Sequence, residues 1–353
     1  MIRLDRSITL LMLFAANSPE TAQSQADRLA SVLAESDLSG AVIITKGGST
    51  VFSAGYGLAN KELDVPNTPE TKFRIGSITK QFTAMSILIL QDRGLLDVRD
   101  PVGDHVAHVP DSWRSLTIHQ LLTHTSGIMH SWALPGFEET MAVPTTLDET
   151  LERFFDEPLV FEPGTDFVYS GVGYFLLAKT IEVVSGTPYE EFLSSEIFEP
   201  LGMRDTGADR PETVLLHRAS GYERADSGAA QNAPDIFMPI LTGGGNLYST
   251  VQDLARWDRA LTERALVSER AYEAMYRPER GGYAYGWRVQ QIEGREVLSH
   301  SGGVPGFQAV NFRIPAEEID VVILSNVTPG RWGSVVPELF GILLGESHMS
   351  VSF

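Results

Sequence analysis

A chain of 353 residues, 43% hydrophobic and 21% charged, has enough apolar content to bury one large core or two intimate ones. Its formal net charge of −19 argues against nucleic acid or an anionic membrane surface as partner, because both demand broad basic patches. The absence of cysteine excludes disulfides, thiolate metal sites and a cysteine nucleophile.

The N-terminus carries Arg3 and Arg6, an apolar run from Ile8 to Ala16, then small and polar residues through Ala26. This pattern predicts a signal peptide over residues 1–26, cleaved near Ser24 or Ala26, and hence a periplasmic or secreted protein. The competing reading is an ordinary cytoplasmic N-terminus. The run is too short to span a bilayer, and no integral membrane segment is expected elsewhere. An amphipathic helix follows over 20–36, with Leu29, Val32 and Leu33 on one face. Ala41 to Thr45 and Thr50 to Ala54 read as strands joined at Lys46-Gly47-Gly48. Phe73 to Ile75 is short and extended. The helix predicted from Ser77 to Arg93 stops at Gly94, and its nearly continuous apolar stretch from Met85 to Leu90 marks it as buried.

From about 97 to 240 the pattern is mostly helical with many loops. Thr117 is a candidate cap for a short helix through Leu122, and Asp148 to Phe155, Gly171 to Ser185 and Tyr189 to Phe198 read as further helices. Thr250 and Asp253 resemble a capping box opening a helix to Leu261. Residues 283–326 switch to strands: Tyr283 to Gln291, Glu296 to His300, and a hairpin around Pro315-Ala316-Glu317-Glu318. A helix over roughly 333–344 closes the chain. The order implies an α+β fold whose sheet is assembled from both chain ends, residues 27–96 and 241–353, with residues 97–240 inserted as a mostly helical subdomain of one domain spanning 27–353.

The chemistry starts at Ser77-Ile78-Thr79-Lys80. Residues three apart on a helix share a face. A serine is a poor nucleophile until a neighbouring base takes its proton, and a desolvated lysine can be that base. Of the five lysines (Lys46, Lys61, Lys72, Lys80, Lys179), only Lys80 has a serine three positions before it. Such a pair is common by chance and alone decides nothing. Two further clusters accompany it: Tyr169-Ser170-Gly171 at a helix start, and His300-Ser301-Gly302-Gly303 at a strand end. Neither metal ligands nor a cofactor motif is read from the sequence: the histidines lack carboxylate partners at useful spacing, and Gly243-Gly244-Gly245 lacks the lysine of a phosphate loop. The triple glycine is expected to permit close backbone packing beside the cleft, His124 to stabilise a turn near the site, and Trp132 with Phe137 to overhang it.

In this order the segments 73–84, Leu121 to Ile128, Pro163-Gly164 ahead of Tyr169-Ser170, Pro200 to Met203, Gly243 to Gly245 before Ser249-Thr250 and Asp253, and His300 to Gly303 resemble the serine β-lactamase and penicillin-binding-protein superfamily. The likeness is to its class C β-lactamase-like branch, with D-Ala-D-Ala carboxypeptidase, D-aminopeptidase and esterase members. The resemblance implies a β-lactamase/transpeptidase-like fold, an antiparallel sheet flanked by helices. It implies Ser77 as the acylated nucleophile, Lys80 hydrogen-bonded to it, Tyr169 as proton relay, and the N–H groups of Ser77 and Gly303 as oxyanion hole. Ser170, Gly171, Ser301 and Gly302 would contact a small-molecule or peptide substrate. No cofactor is implied, and the oligomeric state is left open.

Two departures bear on specificity. No lysine follows Lys179, so His300 stands where many relatives have lysine; if protonated, it would hold a substrate carboxylate and lose it between about pH 6 and 8. Gly171 replaces an asparagine that contacts the substrate amide in relatives, which makes a carboxylesterase the closest competitor to an amide or β-lactam hydrolase. From another class, a non-catalytic cell-wall or partner-binding homologue is opposed by the intact Ser77, Lys80 and Tyr169.

Overall fold

The computed structural model describes residues 19–330 and 332–345. The predicted signal segment lies outside the described residues up to position 18, and positions 19–26 form the start of the first helix, α1 (Pro19–Glu35). Its Gln25 amide donates to the Ile342 carbonyl at 2.9 Å. Among the described residues, no helix is long and apolar enough to cross a membrane.

Six strands build one antiparallel sheet: β1 (Gly40–Lys46), β2 (Ser49–Tyr56), β3 (Arg288–Ile292), β4 (Arg295–Val304), β5 (Phe307–Ile314) and β6 (Ile319–Ser325), in the spatial order β3-β4-β5-β6-β1-β2. The sheet therefore joins both chain ends, as the element order implied. Side chains alternate across a strand, and here both alternating sets are buried. Val42 and Ile44 of β1, with Val321 and Ile323 of β6, face a cluster that takes in Leu29 and Leu33 of α1 and Leu339 and Phe340 of the C-terminal helix. Ala41, Ile43, Val322 and Leu324 face the other, larger cluster, which holds the remaining helices.

The central element of that larger core is α2 (Thr79–Asp92), whose residues from Thr79 to Leu90 are all buried. It ends as the sequence implied, with Gly94 at φ +70°. Around it pack α3 (Ile118–Leu122), capped by the reciprocal Thr117–Gln120 bonds, α4 (Gly171–Ser185) and α5 (Val251–Thr262). The Thr250–Asp253 cap is half of a box. Thr250 accepts from the Asp253 N–H, but the Asp253 carboxylate turns to the Asp205 N–H, the Thr206 hydroxyl and Arg256.

Three strand expectations are corrected. The strand expected from Tyr283 starts only at Arg288, because Gly281, Gly282 and Gly286 take positive φ and bend the chain through a loop. β4 does not stop at His300 but continues through Gly303 to Val304, and Phe307–Ile314, not singled out in the sequence, is a full partner strand. The insertion is helical up to Leu201. Beyond it, residues 203–237 are loops with short strands at Gly207–Ala208, Tyr222–Arg224 and Ala230–Asn232.

Candidate active site

Ser77 sits in a single 3-10 turn, Gly76–Ile78, wedged between a short strand and α2. Phe73–Arg74 pairs with Leu247–Ser249, and the Ile75 N–H donates to the Leu247 carbonyl at 3.0 Å, which fixes the entry of the turn. Gly76 has φ +49°, and a Cβ there would lie 2.6 Å from the Gly303 nitrogen. A Cβ on Gly302 would lie 1.9 Å from the Ile75 carbonyl oxygen. Glycine at both places therefore lets β4 lie directly against the serine turn. A Cβ on Gly303 would meet nothing within 4 Å.

Lys80 follows one turn later and is 2% exposed. Its Nζ donates to Ser77 Oγ at 3.1 Å and to the Gly244 carbonyl at 2.6 Å. It also lies 4.9 Å from the ring centre of Tyr169 and 5.4 Å from that of Tyr174. Burial pushes its pKa from 10.5 down to about 7. The triple glycine allows this approach: a Cβ at Gly243 would strike the Tyr174 carbonyl at 2.5 Å, and one at Gly244 the Phe175 ring at 2.7 Å.

Tyr169 precedes α4 and is held from behind by His124. The Val168 N–H donates to the His124 carbonyl at 3.1 Å and the Ser170 N–H to His124 Nδ1 at 3.1 Å, so His124 does stabilise a turn beside the site. Among the described residues the buried Tyr169 hydroxyl, with the Ser77 hydroxyl as its neighbour, has no hydrogen-bond partner at full hydrogen-bonding geometry. Burial raises its pKa above the ordinary value, and the nearby Ser77 hydroxyl offsets this in part. His130 stacks on the Tyr169 ring at 5.5 Å.

His300 is 5% exposed. Its Nδ1 lies 2.6 Å from the Ser301 carbonyl and must donate there, leaving Nε2 to accept from the Tyr283 hydroxyl at 2.9 Å. Burial, then the Lys80 charge, lowers its pKa to about 3. The expectation of a protonated His300 holding a carboxylate is therefore corrected: the ring is neutral and both nitrogens are engaged. Ser170 is corrected as well. It is 1% exposed, caps α4 through the Gly173 N–H and donates to the Met129 carbonyl at 2.8 Å, so its hydroxyl is committed to the fold. Phe137 is buried in the core at 1% exposure; of the two aromatic residues expected to overhang the site, Trp132, at 42%, is the exposed one. Ser301 and Gly303 are exposed on β4. Gly171 has no side chain to offer, and the hydroxyl of Ser131 fills that space, 3.1 Å from where a Cβ would stand.

Sequence reasoning missed Tyr174, Tyr283, His130, Ser131 and the Gly244 carbonyl. The run Gly281-Gly282-Tyr283-Ala284-Tyr285-Gly286-Trp287 was a usable signal, since three glycines in seven residues oppose a strand.

The family model described as Beta-lactamase matches residues 14–336 of this chain. The chain belongs to the β-lactamase family. Penicillin-binding protein PbpX of Bacillus subtilis (strain 168) is 30% identical over 321 residues, covering 90% of this chain and 78% of that one. The octameric penicillin-binding protein homologue from Pyrococcus abyssi superposes with a TM-score of 0.80 at 32% identity, over 92% of this chain and 77% of its own. D-amino acid amidase from Ochrobactrum anthropi SV3 gives a TM-score of 0.78 at 24% identity, over 92% and 98%, which is a likeness of fold. The β-lactamase/transpeptidase-like fold expected from the motifs is the one found, and family members include serine hydrolases.

Proposed function

We propose that this family member is a serine hydrolase that works through an acyl-Ser77 intermediate. Its substrates are amides or peptides of the D-alanyl-D-alanine or D-amino-acid type, β-lactams being related acyl donors. The observation that carries this reading is Lys80, buried, bonded to Ser77 Oγ at 3.1 Å and lowered to about 7, so that a neutral amine is available at neutral pH. In the forward step Lys80 Nζ takes the Ser77 proton while Oγ bonds to the substrate carbonyl carbon. The oxyanion is received by the N–H groups of Ser77 and Gly303, donors of a kind worth roughly 10²–10³ in rate. Collapse breaks the carbonyl–nitrogen bond. The leaving amine takes a proton through Tyr169, whose raised pKa keeps it a neutral phenol able to pass one proton on and accept one from Lys80. Water then attacks the ester, and its proton returns along the same route to free Ser77.

An extended substrate has a place to lie. β3 begins opposite Ser299, so from His300 to Val304 β4 has β5 on one side and no strand on the other among the described residues. Such an open edge binds an extended chain through its backbone. The run from Ile8 to Ala16 supports a periplasmic or secreted setting for this chemistry. A carboxylesterase is the second reading, favoured by the missing side chain at Gly171. Turnover of N-acetyl-D-alanyl-D-alanine against a short-chain nitrophenyl ester, with Ser77→Ala alongside, tests both. Ester turnover alone selects the esterase, and near-normal turnover by Ser77→Ala defeats the mechanism.

A further inference from the structure

We propose that Asp258 is a neutral carboxylic acid joined to Asn311 by two reciprocal hydrogen bonds, and that this pair is a proton-operated latch holding β5, the strand opposite His300, against α5. Both residues are fully buried. Asn311 Nδ2 donates to Asp258 Oδ1 at 3.0 Å. The other oxygen of each group, Asp258 Oδ2 and Asn311 Oδ1, is buried without a hydrogen-bond partner among the described residues. Two orphaned acceptors on one bonded pair mark the place of a proton. A proton on Asp258 Oδ2 makes that oxygen a donor, and its bond to Asn311 Oδ1 closes a ring that satisfies both groups at once. An ionised Asp258 would leave a charged oxygen buried with no donor, which is costly.

The neighbouring charges favour the same state. Arg313 on β5 and Asp320 on β6 face Asp258, with Tyr276 just beyond the helix Glu269–Met275. β1 presents Thr45, whose hydroxyl donates to Asp320 Oδ2 at 3.0 Å. Arg313 spends its donors elsewhere: Nε on Asp320 Oδ1 at 2.8 Å, Nη1 on the Tyr276 hydroxyl at 3.3 Å and Nη2 on the Thr262 hydroxyl. Its Nε stands 3.7 Å from Asp258 Oδ1, beyond hydrogen-bond reach. One cation balances one of the two carboxylates. Asp320 takes that charge, because it holds the direct ion pair and lines an open cleft of about 570 Å³. The proton goes to Asp258. Burial, then the Asp320 charge, pushes the Asp258 carboxyl well above its ordinary range, against the pull of Arg313 and Asn311.

The pair sits where a local change reaches the candidate site. Asn311 pairs with His300 in the β5–β4 register, and directly opposite residues share a face of the sheet. The ring therefore ties α5 to β5 beside the strand position that carries His300. Loss of the proton breaks one bond of the ring and sets a second anion near Asp320. An unfolded aspartate titrates near 3.9, so the stabilisation from this group is complete below about pH 4 and is lost as pH rises toward its higher folded value.

Asp258→Asn is the test, because asparagine reproduces the shape, the acceptor and the donor of the neutral acid and removes the titration. On the full-length protein at pH 6, the infrared spectrum of wild type should contain a protonated-carboxyl band that Asp258→Asn lacks. Hydrogen exchange of peptides spanning 298–312, corrected for intrinsic rates, gives the second readout. The ratio of protection, wild type over Asp258→Asn, should fall between pH 5 and 8 by up to about tenfold per pH unit. Dividing by the variant cancels the titration of Lys80 and the buried histidines. Wild type without the band, a band that survives in Asp258→Asn, or a protection ratio that is flat or rises with pH overturns the proposal. So does an Asp258→Asn protein that unfolds at pH 6, since an isostere of a neutral acid should be tolerated there. Neither readout uses turnover, so failure here is separate from failure of the hydrolase reading.

Discussion

The base assignment makes a quantitative claim about pH. A fall of the Lys80 pKa from 10.5 to about 7 corresponds to about 5 kcal/mol against the buried ammonium at ~1.36 kcal/mol per pH unit. With the base at about 7, roughly half of the protein is competent at pH 7, about a tenth at pH 6 and about a hundredth at pH 5. The acylation rate constant of Ser77, followed by stopped flow with an activated nitrophenyl ester, should therefore fall about tenfold per pH unit below 7 and level off above 8. His300, neutral throughout this range, adds no inflection between pH 6 and 8. Lys80→Arg keeps a charge and removes the base, and should slow acylation by about 10²–10⁴. The sign for stability follows from the same shift. The folded state releases the Lys80 proton before the unfolded chain does, so this group's contribution to stability rises with pH between about 7 and 10.5 and is least favourable below 7. Lys80→Met should flatten that rise and unfold later than wild type at pH 6, though the lost bonds to Ser77 and Gly244 offset part of the gain. An acylation rate flat from pH 5 to 8, or an inflection above pH 9, would refute the neutral-lysine mechanism.

Further expectations follow from the same geometry. Tyr169→Phe should keep the inflection near pH 7 with the activated ester, whose leaving group needs no proton, while slowing amide turnover far more; equal losses on both would argue against a relay. Gly302→Ala forces a Cβ to 1.9 Å from the Ile75 oxygen and should displace β4 and lower the melting temperature. Gly303→Ala, with open space around it, should melt like wild type yet bind substrate poorly, and thermal unfolding beside KM separates the two. Gly171→Asn should disturb the Ser131 loop because its Cβ would lie 3.1 Å from that hydroxyl, and Ser131→Gly in the same chain should restore the melting temperature. Tyr283→Phe leaves His300 Nε2 buried without its donor and should cost about 1 kcal/mol in denaturant unfolding.

The parts legible in the sequence were those fixed by local pattern. The apolar run of α2, its stop at Gly94, the Ser77–Lys80 spacing and the Thr117 cap all depend on residues within one or two turns of each other. The close packing of Gly243–Gly245 was also foreseen, because glycine repeats have few other uses. What stayed hidden depends on contacts between distant segments. The second acceptor of Lys80 is the Gly244 carbonyl, 164 residues away, and no local pattern announces it. His300 has a histidine's usual titration range in the sequence; burial against Tyr283 and the Lys80 charge remove it, and both belong to the tertiary fold.

The most direct test of the central claim is intact-protein mass after rapid acid quench with penicillin G or a nitrophenyl ester, wild type beside Ser77→Ala. An acyl adduct on wild type alone, mapped to the peptide containing Ser77, is the predicted result. Adducts on both proteins, or none from either donor on wild type, would contradict Ser77 as the nucleophile.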